Sequence, residues 1–365
     1  MAVKRRYLLG ALIVLVLVGI IYFFGDIVAY VLIAWVLSLL GGPMVSFLLD
    51  RLRMRKIWGG KSLAAVLTIV VMFSLIYLLL RAFVPLIFEQ LSNLASLDYQ
   101  NVGTTLEEQF RITERLRDLG IVSTQSVGDE ISELARKWFD PSLLGKYIGD
   151  FVGLAGNIVI GIFSVIFVLF FFLREQDLLI NFIRGIIPTE YELKAVDVME
   201  RIAYLLRRYF FGILFQIVTI TLLVSVALRI FGIENALLIG FFAALINTIP
   251  YLGPLIGAGF ALFITLSSHL DYDFSTQTLP LIIKILTVFA IMQMIDNFIL
   301  QPYIFSNSVM AHPMEIFIVI LVGGRIGGIV GMILAIPAYT VIRVIASVFL
   351  SEFKIVQSLT TRIQR

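Results

Sequence analysis

The chain has 365 residues, no cysteine, two histidines and a net charge of +3, with 60% hydrophobic and only 15% charged residues. A soluble domain carries about 25% charged residues, so this chain is dissolved mainly in lipid, in keeping with its mean hydropathy of +1.00. Without cysteine there are no disulfides, thiolate metal sites or iron–sulfur clusters; with His269 and His312 far apart, no zinc, haem or other cofactor is expected, and the charge gives no case for nucleic acid.

Lys4, Arg5 and Arg6 precede a first apolar run at 8–24, which ends in IIYFFGD without a small-x-small cleavage site. It reads as an uncleaved transmembrane helix and not as a removed signal peptide. Further runs fall at 27–49, 63–88, 151–173, 209–231, 236–268, 279–301 and 314–349. Each reaches the length of about 20 residues that a crossing needs, and the last is long enough to hold a re-entrant piece before its crossing. The implied fold is an all-α polytopic membrane protein of about eight transmembrane helices, with broken or re-entrant segments in its C-terminal half.

Orientation follows from basic residues in short loops. Arg51, Arg53, Arg55, Lys56 and Lys61 lie between the second and third runs, whereas the first turn carries only Asp26. Both termini are therefore expected inside. On this topology residues 1–88 form three crossings, 89–150 an external insertion rich in acid, and 151–365 the remaining core. Apolar residues at spacings of 3 and 4 within the insertion, Leu106 to Phe110 and Ile131, Leu134 and Trp138, predict short amphipathic helices. Thr189 and Glu192, just after Pro188, have capping-box spacing and predict a cytoplasmic interfacial helix over 189–208.

The second half is broken where the first is uniform. In NTIPYLGPLIG, Pro250 and Pro254 each remove a backbone donor, with Asn247 and Thr248 before them and Gly253 between them. Such breaks in hydrocarbon are tolerated where backbone is buried in protein or lines a wet cavity, and paired interrupted segments point to a substrate or ion path. Asp296 lies in AIMQMIDNFIL with Gln293 and Asn297 at helical spacing. Intramembrane carboxylates mark functional sites by default; this one can bind a polar solute, coordinate a hard cation through oxygen or carry a coupling proton. The alternative role for the three is a hydrogen-bonded helix-packing cluster. His312, before Pro313 and Glu315, can shuttle a proton or cap a helix. Gly323, Gly327 and Gly331 recur every four residues, as do Gly324 and Gly328, which predicts a flat packing ridge or a hinge. Arg325 among them needs an interface, water, or an acid such as Glu315 or Asp296. Gly41-Gly42-Pro43 predicts a kink, and Gly59-Gly60-Lys61-Ser62 lacks the earlier glycine of a phosphate-binding loop.

The strings IPYLGPLIG, DNFILQP, AHPMEIF and GGRIGGIVGMILAIP resemble the autoinducer-2 exporter family of bacterial membrane proteins, over about 235–346. The resemblance implies a permease assembled as a homo-oligomer, exporting autoinducer-2 or, in some members, exchanging sodium for protons. Pro250, Gly253, Pro254, Asp296, Asn297, Pro302, His312, Pro313, Gly324, Gly328, Gly331 and Pro337 match the family pattern, and Arg325 departs from it. The expectation is an inner-membrane exporter of a small polar solute, not an enzyme, with sodium or lithium–proton antiport as the alternative. A membrane scaffold acting through 89–150 is a third possibility.

Overall fold

The computed structural model describes residues 2–95, 141–250, 252–268, 274–305 and 312–349. The insertion expected at 89–150 lies largely outside the described residues, as do its amphipathic helices. Every described element is helical, and the chain divides into two compact units, Met1–Ile76 with Phe151–Ala203 and Tyr77–Asp150 with Tyr204–Arg365.

The first unit takes α1 (Ala2–Asp50) and parts of α2 (Gly60–Ala95), α3 (Pro141–Arg174) and α5 (Thr189–Ile230), with α4 (Leu178–Ile186) whole. Helical geometry in α1 fails only at Phe24, φ −126° and ψ 29°, which divides it into two helices where the first two apolar runs lie. The backbone stays helical through Pro43. Gly41 serves packing instead: a Cβ there would meet the side chains of Leu173 and Thr68 at 3.0 Å. Buried Ala34, Ala64 and Ala65 extend this close approach, and Leu169 and Leu173 of α3 complete the core. Between Ile158–Arg174 and Leu178–Ile186 the path bends by 89°. The nine-residue α4 buries nothing and exposes Phe182 and Ile186, as a helix lying in a membrane interface would. Helix α5 starts at Thr189 as predicted, with Glu190 and Glu192 in its first turn facing the positive dipole end. The interfacial helix and the next span are one continuous helix of 42 residues.

In the second unit the broken segments resolve into hairpins. Helices α6 (Ala236–Ile246) and α7 (Leu252–Ser267) fold against each other. The rings of Phe242 and Phe260 stack with centroids 3.8 Å apart, and a Cβ on Gly257 would lie 3.3 Å from that of Ala243. On a straight helix those last two residues would stand about 21 Å apart, so 236–268 enters and returns. After a short π-helical turn (Phe274–Thr278) come α8 (Leu279–Ile295), a π-helical segment (Asp296–Leu300) and α9 (Gln301–Phe305).

Helix α10 (Pro313–Phe349) is also a hairpin. Its backbone turns at Gly327 and at Gly328, whose φ of 58° and ψ of −141° suit only glycine. Gly323 and Gly331 meet across the turn so tightly that a Cβ on either would overlap the other's carbonyl oxygen. Tyr339 donates a 2.6 Å hydrogen bond to Glu315, although 24 residues of straight helix would separate them by about 36 Å. The glycines thus form a turn and a backbone contact in place of one continuous ridge. Length alone would make Met314–Phe349 a single crossing; these contacts make it a re-entrant limb followed by a longer one.

Two cores hold this unit. Ile220, Val224 and Leu228 of α5 pack with Ile239, Ala243, Ile264, Ile285 and Phe289. Tyr209 and Ile213 of α5, Ile249 at the tip of the first hairpin, and Ile320, Ala335 and Ile336 of the second hairpin form the other. Outside them, large apolar side chains such as Leu255, Phe298 and Ile326 are exposed. In water such a surface is an aggregation liability; against hydrocarbon it is the expected outer face of a polytopic helical membrane protein.

Candidate functional site

Asp296 is completely buried, at 0% exposure, in a chain whose interior is apolar. Placing a carboxylate there costs several kcal/mol in lost hydration, roughly, even after relaxation. The described residues supply amides, not a cation. Gln216 Nε2 donates to Oδ1 at 2.7 Å, Asn247 Nδ2 to Oδ2 at 3.0 Å, and Gln301 Nε2 to Oδ2 at 2.7 Å. Hydrogen bonds to a charged group contribute about 1.5–3 kcal/mol each, so three offset a burial penalty of that size. Among the described residues no cation forms an ion pair with this carboxylate.

Each donor comes from a different local cause. Asn247 caps α6, its N–H bonded to the Ala243 carbonyl, at the point where the hairpin turns. The turn is tight because Gly253 lies against it: a Cβ there would overlap the Ile246 carbonyl and sit 2.5 Å from Asn247 Cα. Pro254 falls in the first turn of α7, where no intrahelical acceptor awaits its nitrogen, and buried Pro250 lends its carbonyl to Leu252 N–H. Thr248 donates its N–H to the Leu245 carbonyl within the same turn. Gln301 reaches Asp296 because of the π segment. Five residues of α-helix would leave the two side chains about 140° apart. The wider turn, closed by Gln301 N–H to the Asp296 carbonyl, brings them onto one side.

Gln301 Nε2 also donates to Asn297 Oδ1 at 3.2 Å, and Gln293 Nε2 donates to the same oxygen at 2.8 Å. The structure therefore joins Asn247, Asp296, Asn297 and Gln293, which the sequence singled out, in one network, with Gln301 bridging Asp296 and Asn297. Two buried oxygens in this network, Asn247 Oδ1 and Gln293 Oε1, accept no hydrogen bond. Gln216, only 3% exposed, escaped the sequence reading; its signal was being the one side-chain amide between 209 and 231.

Other candidates stand apart. His312 is exposed and its Nδ1 accepts the N–H of Met314, the geometry of a helix cap. Glu315 pairs with Tyr339, whose ring carries the Arg343 guanidinium 6.0 Å from its centroid. Pro302 is exposed on α9. Arg325 is exposed beside the second hairpin's turn and meets neither Glu315 nor Asp296.

Long apolar helices, two helical hairpins and a buried, amide-held carboxylate define a multi-pass helical membrane protein. The model of the AI-2E family transporters matches residues 11–351, and the chain belongs to that family. Among its relatives, YueF of Bacillus subtilis is 28% identical over 203 residues, covering 56% of this chain and 53% of that protein. YrrI of the same organism is 29% identical over 187 residues, 51% of this chain and 50% of that protein. The chain thus spans about half the length of these two curated relatives. PerM of Escherichia coli K12 is 24% identical over 338 residues, 90% of this chain and 88% of that protein. YueF and YrrI are named only as proposed transport proteins and PerM as a proposed permease.

Proposed function

We propose that the chain exports a small hydroxylated polar solute, autoinducer-2 or a related metabolite, across a bacterial inner membrane, without chemistry on the cargo. The observation that most supports this is the acceptor capacity left around Asp296. The unbonded amide oxygens of Asn247 and Gln293, in the network around that carboxylate, seek donors, and a solute rich in hydroxyl groups brings donors. The two hairpins would gate the path, with Asn247 at the tip of one. Both termini lie on the cytoplasmic side in this reading, and the working form is a homo-oligomer.

A second reading, sodium or lithium exchange for protons, draws on the same atoms. Hard cations take carboxylate and amide oxygens, and Asp296 would alternate between cation and proton. Purified protein in proteoliposomes with a trapped pH-sensitive dye separates the two, under sodium, lithium and potassium gradients in turn, with Asp296→Asn alongside. The expected result is no cation-driven proton signal, and outward autoinducer-2 flux that falls but survives in the variant. A sodium- or lithium-driven proton signal that vanishes in Asp296→Asn would overturn solute export in favour of antiport.

A further inference from the structure

A groove of about 580 Å³ runs between α5 and the π segment with α9, inside the range of roughly 300–1,000 Å³ usual for small-ligand sites. Phe211 and Phe215 wall one side, Ile299, Leu300 and Tyr303 the other, and Arg208 closes one end. The two helices touch beneath it, where a Cβ on Gly212 would meet Ile304 Cγ1 at 3.1 Å. Arg208 is half-buried and has no acidic partner among the described residues. It also marks a boundary: charges are frequent from 190 to 208 and absent from 209 to 228. An arginine there lies where the helix passes from headgroup to hydrocarbon.

We propose that this groove binds one anionic phospholipid, with its phosphate on Arg208 and an acyl chain along Phe211, Phe215 and Ile299. The charge pattern selects that occupant. A basic end on an otherwise apolar cleft between membrane helices suits an anionic headgroup, whereas a zwitterionic lipid brings a cation towards the guanidinium. A second copy of the chain would have to supply both an apolar ridge and an anion; a lipid carries the two together. The site also has a mechanical position. Gly212 faces Ile304 and Gln216 faces Asp296, so the helices run antiparallel and the groove leads from Arg208 towards the carboxylate. Ile299 and Leu300 belong to the π segment that Asp296 begins. A bound chain packs on the back of the amide cage and steadies the turn that brings Gln301 to Asp296.

Native mass spectrometry of the full chain in detergent tests this, with added phosphatidylglycerol, phosphatidylcholine of the same chains, or inorganic phosphate. One phosphatidylglycerol per chain is expected, with much weaker retention of the other two. Arg208→Gln should weaken it by about fivefold or more, the contribution of one basic residue near an anionic headgroup. Ile299→Trp, which fills the apolar half and leaves Arg208 in place, should also remove it. Melting curves establish that both variants are folded. Undiminished phosphatidylglycerol binding in both variants overturns the proposal, as does equal uptake of phosphatidylcholine. Failure of the wild-type chain to retain phosphatidylglycerol, with both variants dissociating into monomers, overturns it in favour of an interface between copies.

Discussion

Gln216 contributes the bond that Asp296 can least replace, because Oδ1 takes its donor there while Oδ2 has two. Gln216→Leu should lower stability by about 1–3 kcal/mol, the penalty for leaving a buried polar group unsatisfied, read as a lower unfolding midpoint in detergent. The same change in an Asp296→Asn background should cost less, since a neutral amide asks less of its surroundings. A double-mutant cycle should show a coupling on the order of 1 kcal/mol. Additive effects would mean that Gln216 acts through packing alone. Asp296 and its helical neighbours were legible because a charge in hydrocarbon stands out in any window. Asn247 was visible as the neighbour of a break. Gln216 was not, since one amide in a long apolar helix disturbs no periodicity and its partner lies 80 residues away.

Proline and glycine spacing showed where the helices break, but not whether the chain then carries on across the membrane or turns back. A kinked crossing and a hairpin have the same breakers, and only Phe242 against Phe260 and Gly257 against Ala243 decide between them. The glycines of α10 misled for a definite reason. Residues four apart share a face on a straight helix; residues four on either side of a turn at 327 also meet, as Gly323 and Gly331 do. Two tests belong to these elements. Ala243→Cys with Gly257→Cys should oxidise to a disulfide in a chain otherwise free of cysteine, detected by intact mass, because the Cβ positions approach to 3.3 Å. Gly253→Ala should sharply reduce folded yield, as its Cβ would strike the backbone of Ile246 and Asn247. Gly259→Ala, with nothing within 4 Å, should be neutral or stabilise by about 0.5–1 kcal/mol. Equal behaviour of the two alanine variants would refute the close turn.

Across the whole chain, the apolar runs made an all-helical membrane fold legible, while sidedness rests on Lys4, Arg5 and Arg6 before the first run and on Arg51, Arg53, Arg55, Lys56 and Lys61 in one short loop. Exposed single cysteines can test it. Trp58→Cys should react with an impermeant maleimide only after permeabilisation, and Glu234→Cys in intact cells. Ser268→Cys, beyond α7, should behave like Glu234→Cys, because 236–268 returns to the side it left; labelling only after permeabilisation would convert that hairpin into a crossing. The hairpin has a further consequence, one of parity. A crossing inverts everything downstream of it, whereas a returning hairpin adds 33 residues of path and leaves the sign unchanged. Excising 236–268 should therefore remove Asn247 from the carboxylate without turning the rest of the chain over. The part that reaches Asp296 is topologically silent: it packs into the core and holds the carboxylate, yet it leaves the membrane map on either side unchanged.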